Sequence, residues 1–203
     1  MSQEESGLKF SEEAERQFQD IISRYPIFPA NKIDPKTGEE EKKDQRLAAL
    51  LPALLLAQGE FGYVSIEVMD YIAQRLNLEP AKVYSTATFY TMYNKQPVGK
   101  CHVQVCTTLS CALRGGYELM EYLEDKFGIR VGETSADGKW TLSEVECLAS
   151  CGTAPMFQAT FSDGEIEYYE DLDMSQPQKV EAVLAQINRR LEGLRTPKEM
   201  HDA

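Results

Sequence analysis

Four of the five cysteines in this 203-residue chain lie in two tight pairs, Cys106/Cys111 and Cys147/Cys151. If the four serve one centre, the fold must bring two short segments together across 35 intervening residues. The pattern is C-x4-C, then C-x3-C. Residues 107–110 fall where an expected strand must turn into a helix. Residues 148–150 form a short loop after a second expected strand, with Cys147 at its end. The fifth cysteine stands apart. Cys101 and Cys106 are five residues apart on one strand, which separates their Cα atoms by roughly 16 Å and gives them opposite side-chain parity. Cys101 shares parity with Val103 and Val105 and is expected to point into the core.

Clustered cysteines suggest metal or redox chemistry in a reducing setting. The start of the chain, Met1-Ser2-Gln3-Glu4-Glu5, is acidic and reads as no secretory leader. The longest near-apolar run, residues 47–57, is broken by Pro52 and too short to span a bilayer. A cytoplasmic location is expected. Net charge is −12, from 21 basic and 33 acidic residues. That argues against nucleic acid, which needs a basic footprint, and against anionic lipid.

The first hundred residues read as helices. Ser11 is placed to cap a helix whose Phe18, Ile21, Ile22 and Tyr25 form one stripe, stopped by Pro26 and Pro29. Residues 30–43 are expected as a loop. A second helix runs from about 44 to 58 with Leu47, Leu50, Leu51, Leu54 and Leu55 as its apolar face. Pro52 kinks or shortens it, and Gly59 and Gly62 end it. Ser65 caps a third, with Ile66, Met69, Ala73 and Leu76 inward. Pro80 opens a fourth element, from 81 to about 93.

A turn at 96–100 marks the expected boundary. Beyond it the order is strand 102–105, helix 112–127, strands 144–147, 156–160 and 165–169, and a helix from about 176 to 194. Asp163-Gly164 is a hairpin turn. The fold class expected is α/β: an N-terminal helical bundle over residues 1–97, a domain with a small mixed sheet over 98–194, and a frayed tail over 195–203.

Cys106, Cys111, Cys147 and Cys151 suit a structural zinc or an iron–sulfur cluster. The x4 and x3 loops favour a [2Fe–2S] rhomb over a zinc knuckle, which mostly uses C-x2-C. Unliganded or redox-active thiols are the third reading. Small and hydroxyl residues (Thr107, Thr108, Ser110, Ala149, Ser150, Gly152) leave room for backbone N–H groups to face the sulfurs.

Further motifs carry a resemblance. They are Thr88-Phe89-Tyr90-Thr91-Met92-Tyr93, Pro97-Val98-Gly99-Lys100, His102-Val103-Gln104-Val105-Cys106-Thr107-Thr108, Cys111-x-Leu113-Arg114-Gly115, Val131-Gly132-Glu133-Thr134 and Glu144-Val145-Glu146-Cys147-Leu148-x-x-Cys151-x-x-Ala154-Pro155-Met156. Over about residues 11–190 the chain resembles the small [2Fe–2S] subunit, of NuoE type, of the NADH-oxidising module of respiratory complex I (NADH:quinone oxidoreductase). The resemblance implies a thioredoxin-like [2Fe–2S] ferredoxin domain. It implies one cluster ligated by Cys106, Cys111, Cys147 and Cys151, the set reached from spacing, with no ligand role for Cys101.

It further implies a non-catalytic redox subunit in the peripheral arm of a membrane-associated complex, paired with a partner subunit that binds FMN and NADH. The family's cluster is assigned temporary electron storage or protection of the flavin. No G-x-G-x-x-G and no P-loop occurs in the chain, in keeping with that division. Other readings are the equivalent subunit of an NAD-linked hydrogenase or formate dehydrogenase, a free-standing ferredoxin, and a zinc-stabilised interaction scaffold.

Four smaller expectations follow. Ala154-Pro155 is placed for a cis peptide, as thioredoxin-like folds often have before the strand facing the active loop. Arg114 caps the cysteine loop or makes a surface salt bridge. Phe89, Tyr90 and Tyr93 supply a partner surface or pack inward. Asp163, Glu165, Glu167, Glu170, Asp171 and Asp173, with no Lys or Arg among residues 161–178, form a solvated edge or lower the cluster's potential. His102 is expected as a strand residue, not a ligand.

Overall fold

The computed structural model describes residues 7–25, 27–33, 36, 40–44 and 46–196. It divides at Pro97 into two units, Met1–Pro97 and Val98–Ala203.

In the first unit, α1 (Glu12–Ser23) starts where Ser11 Oγ accepts the Ala14 N–H at 3.2 Å. Phe18 is fully buried, while Ile21, Ile22 and Tyr25 pack at the edge of the same core. Residues 30–43, expected as a loop, instead contribute to an antiparallel pair, β1 (Ile27–Ile33) and β2 (Glu40–Asp44). The pairing is made by backbone groups, which a charged sequence does not advertise. Asp34, Pro35 and Gly38 lie outside the described residues.

Helix α2 (Arg46–Phe61) runs through Pro52 and Gly59 without ending. Its buried face is Ala49, Leu50, Ala53, Leu54, Ala57 and Phe61. The alanines rotate the stripe away from the leucine pattern, so Leu47 and Leu55 stand 45% and 52% exposed. Small side chains let neighbouring helices approach closely, and that packing outweighs leucine periodicity here. Gly62, at φ +78°, ends the segment.

Helix α3 (Ile66–Leu76) is capped by Ser65 Oγ, which accepts the Val68 N–H at 3.2 Å. Met69, Ala73 and Leu76 are buried as expected, but Ile66 is 64% exposed. Helix α4 (Pro80–Phe89) stops four residues early. Its last turn is Thr86-Ala87-Thr88-Phe89, and β-branched and aromatic residues lose side-chain freedom in a helix. Tyr93 is buried beyond it, and its hydroxyl donates to the Leu51 carbonyl at 2.8 Å.

The second unit holds a four-stranded sheet in the order β4-β3-β5-β6. Its strands are β3 (Cys101–Cys106), β4 (Trp140–Val145), β5 (Phe157–Phe161) and β6 (Ile166–Tyr169). β3 pairs in parallel with β4 and antiparallel with β5, so the sheet is mixed. Its apolar face, with Cys101, Val103, Val105, Leu142, Phe157, Ala159 and Phe161, shares one core with two helices. These are α6 (Gly116–Phe127), through Leu119 and Leu123, and α7 (Pro177–Leu191), through Val180, Leu184, Ile187 and Leu191. The tail expected from 195 lies, from 197 on, outside the described residues.

Two boundaries differ from expectation, and both bear on the cysteines. The helix read as 112–127 is two, α5 (Leu109–Leu113) and α6, separated at Gly115, whose φ of +95° only glycine adopts readily. The strand read as 144–147 begins and ends earlier, at Trp140 and Val145, because its extent is set by register with β3: Cys101 faces Trp140 and Cys106 faces Val145. Cys147 therefore sits two residues past the strand.

His102 shares a 2.8 Å hydrogen bond with Ser143 Oγ, and burial pushes its imidazole down to about 4. The unfolded chain takes up a proton near pH 6.5 that the folded ring refuses until about pH 4. Stability contributed by the neutral ring is thus lost as pH falls from 6.5 towards 4. The thermal midpoint of the metal-free chain should fall across this window, and fall less in His102→Gln. Parallel pH profiles for the two proteins would contradict this.

Candidate functional site

Both cysteine loops leave the same end of the sheet. The parallel pairing of β3 with β4 starts them side by side, and the Thr107 N–H donates to the Val145 carbonyl at 3.4 Å. The chain returning into β5 closes the third side, with the Cys106 N–H donating to the Met156 carbonyl at 3.2 Å. Cys106, Cys111, Ala154 and Met156 form a small buried cluster, with Leu148 against it. Cys106 and Cys111 are buried; Cys147 and Cys151 are exposed. All five cysteines are free thiols.

The sulfurs stand in two pairs. Cys147 Sγ lies 3.4 Å from Cys151 Sγ, and Cys106 and Cys111 are neighbours in the small buried cluster. Among the described residues, no three His, Cys, Asp or Glu groups gather as a single-ion site.

Donors from each loop reach sulfurs of the other. Burial pushes the Cys106 thiol up. The Thr108 N–H, the Cys111 thiol and the Leu148 N–H outweigh it, and Cys106 lies below its ordinary value. Burial and the neighbouring Cys106 push Cys111 up, opposed by the Met156 N–H. Cys147 pushes Cys151 up, opposed by the Ser110 hydroxyl. The Ala149 N–H donates to Cys147 Sγ at 3.3 Å, from a residue at φ +65°. A left-handed alanine is uncommon, and here it aims an amide at a sulfur.

Leu148 packs against the first pair from the second loop, and the Ser110 hydroxyl, from the first loop, favours the Cys151 thiolate. The Thr108 hydroxyl is buried without a well-formed hydrogen bond. The group it lies against is the Cys106 sulfur, whose thiolate it favours.

These features fit a [2Fe–2S] group. Four sulfurs are available two by two, N–H and O–H donors point at them, and one buried hydroxyl awaits a partner. N–H···S hydrogen bonds and local charge are the protein's levers on such a cluster.

Two supports escaped the pattern. Gly116 opens α6 directly beneath the first loop, and a Cβ there would lie 2.9 Å from the Cys106 and Cys111 carbonyl oxygens. The Gly115-Gly116 doublet was the available signal. Glu170, read only as one of six acids forming a solvated edge or lowering the cluster's potential, accepts hydrogen bonds from Ser150 and Thr153, on either side of Cys151; nothing local marks that contact. The Ala154–Pro155 peptide is cis, as expected. Arg114 makes an exposed salt bridge to Asp173 at 3.8 Å. Cys101 is buried in the sheet core, away from this end.

A mixed sheet with two cysteine loops at one end, over helices on one face, defines an α/β domain with a clustered-cysteine site. A family model described as thioredoxin-like [2Fe-2S] ferredoxin matches residues 37–188, and the chain belongs to this family. It is 38% identical over 170 residues to the E subunit of the NADH-quinone oxidoreductase of Rickettsia bellii (strain RML369-C), covering 83% of this chain and 87% of that protein. It is 44% identical over 128 residues to an E subunit of the NADH-quinone oxidoreductase of Rhizobium meliloti (strain 1021), covering 63% of this chain and 73% of that one.

Among solved structures it resembles an NAD+-reducing [NiFe]-hydrogenase crystallised in the air-oxidised state, with a TM-score of 0.57 and 21% identity. The match covers 72% of this chain and 24% of the hydrogenase chain. That likeness shows the shared fold, and the chain spans about a quarter of the hydrogenase chain.

Gly116→Ala forces backbone carbonyls to move. The expected cost is about 1–3 kcal/mol of folding stability, measured by urea unfolding of the metal-free chain. Retention of full stability would mean that the helix yields without disturbing the loop.

Proposed function

We propose that the chain is the NuoE-type electron-transfer subunit of an NADH:quinone oxidoreductase. It holds one [2Fe–2S] cluster on Cys106, Cys111, Cys147 and Cys151, within a cluster domain over residues 98–194 that follows a helical region over 1–97. The carrying observation is the two sulfur pairs, cross-braced by donors from opposite loops. A two-iron rhomb takes two ligands per iron, so a pairwise set suits it better than a zinc site, which needs four donors around one point.

When bound, the cluster supplies one-electron storage and transfer. The chain's own residues do the rest. Amides of Thr108, Leu148, Ala149 and Met156 and the Ser110 hydroxyl favour charged sulfur. The Cys106/Cys111 side is shielded, and the Cys147/Cys151 side faces outward, where single electrons exchange with the FMN of a partner subunit that also binds NADH. Identity of 38–44% to quinone-linked relatives supports this assignment over the hydrogenase-linked one.

Exposed apolar side chains fit a stable heterodimer. Phe89 and Tyr90 are 77% and 40% exposed, and Leu109 and Leu113, on the cysteine-bearing helix, are 71% and 78% exposed. Of the aromatic stretch, only Tyr93 turned inward. Among the described residues no helix is long and apolar enough to cross a membrane, which suits a peripheral-arm subunit.

Low-temperature EPR of the reduced protein should show a [2Fe–2S] signal with acid-labile sulfide. Serine at Cys106, Cys111, Cys147 or Cys151 should abolish or alter it; Cys101→Ser should not. Zinc without sulfide, or loss of the signal in Cys101→Ser, would overturn the assignment. Co-expression with the flavin subunit should give one co-eluting heterodimer. Separate elution at micromolar concentration would contradict the partner.

A further inference from the structure

The acidic stretch is not one solvated edge. Asp163 and Glu167 pair with Arg190, and Asp173 faces Arg114. Glu170 differs, because its carboxylate turns towards the second cysteine loop. One oxygen, Oε1, accepts from Ser150 Oγ and from Thr153 Oγ1, the latter at 2.7 Å. The two hydroxyls are themselves 2.9 Å apart. Cys151 lies between these two residues in the sequence.

The next two residues extend the contact. The Asp171 N–H donates to the Thr153 carbonyl at 2.8 Å, from a residue at φ +52°. The Leu172 N–H donates to the Pro155 carbonyl at 2.9 Å. Three consecutive residues leaving β6 therefore hold segment 150–155 at successive points. Two of those bonds are backbone-made and do not depend on side-chain identity, proline aside. The Glu170 bonds depend on the side chain, and they are the ones nearest Cys151.

We propose that Glu170 is a positioning residue for the cluster site, a latch that fixes Cys151 through the Ser150 and Thr153 hydroxyls. Cys151 is exposed and sits on a single short turn, Cys151–Thr153. No residue of that turn is buried, so hydrogen bonds carry much of the direction of Cys151. Hydrogen bonds to a charged acceptor are the stronger kind. Partners that hydrogen-bond a metal ligand directly typically matter 10–100-fold for metal affinity; Glu170 acts one step further out, through the residues flanking Cys151.

The inference rests on the cluster assignment, and its test separates the two. In the full chain carrying its cluster, Glu170→Ala should speed chelator-driven loss of visible absorbance about 10-fold. Glu170→Gln keeps an oxygen acceptor without its charge and should fall between Glu170→Ala and wild type. Ser150→Ala combined with Thr153→Val removes the donors and should match Glu170→Ala, with no added effect when all three are combined. In the metal-free chain, Glu170→Ala should raise amide hydrogen exchange over residues 150–155. A wild type without acid-labile sulfide would refute the cluster assignment and leave the exchange measurement to judge the latch. Equal rates and equal exchange in Glu170→Ala and wild type would overturn the latch. So would a glutamine variant as leaky as alanine.

Discussion

The parallel pairing of β3 with β4 is the constraint on which the site depends. Parallel strands need a crossover connection, here α5 and α6, and the crossover supplies both the separation in sequence and the adjacency in space. With Cys106 level with Val145, the two loops leave the sheet as neighbours. A slip by one residue would put Cys106 on the opposite parity and bury the wrong side chains. The apolar alternation of β3 fixes that parity, because Cys101, Val103 and Val105 are all fully buried in the core beneath the helices. Core packing and site geometry are thus one requirement.

What could be read in advance follows the range of the forces involved. Local signals succeeded: the Ser11 and Ser65 caps, the Asp163-Gly164 turn and the inward Cys101 all rest on contacts within a few residues. Spacing alone grouped Cys106, Cys111, Cys147 and Cys151. The failures were non-local. The ends of β4 come from pairing with a strand some 40 residues earlier. The β1–β2 pair joins a proline-interrupted strand to a fully charged one, with no alternation to betray it. The buried face of α2 follows its alanines, since close approach between helices decides what a stripe of leucines cannot. Glu170 lies 17 and 20 residues from the hydroxyls it holds, and only the fold connects them.

The first loop and the second are held by different physics. Cys106 and Cys111 sit in an apolar floor with Ala154 and Met156, pressed from below by a helix that begins on a glycine. Cys147 and Cys151 have no such floor. Their loop depends on polar contacts: an amide from a left-handed alanine, a serine hydroxyl from the other loop, and a carboxylate behind. The site thus has one shielded side and one open side. Packing supplies the first and hydrogen bonding the second.

The same division separates Cys101 from the four cysteines of the two loops. A ligand must be a thiolate, and what decides that is environment rather than residue type. Cys101 lies in the sheet core, where burial drives its thiol far above the ordinary value, with only Arg190 opposing and Glu167 adding to the rise. Cys106 is also buried, yet amides at Thr108 and Leu148 bring it below the ordinary value. Both sulfurs belong to one strand, and both are shielded from solvent. The difference is that Cys106 stands at the strand's end, where the backbone turns away and its N–H groups are no longer spent on the sheet. Within a strand those donors pair with neighbouring strands; beyond it they are free to face sulfur.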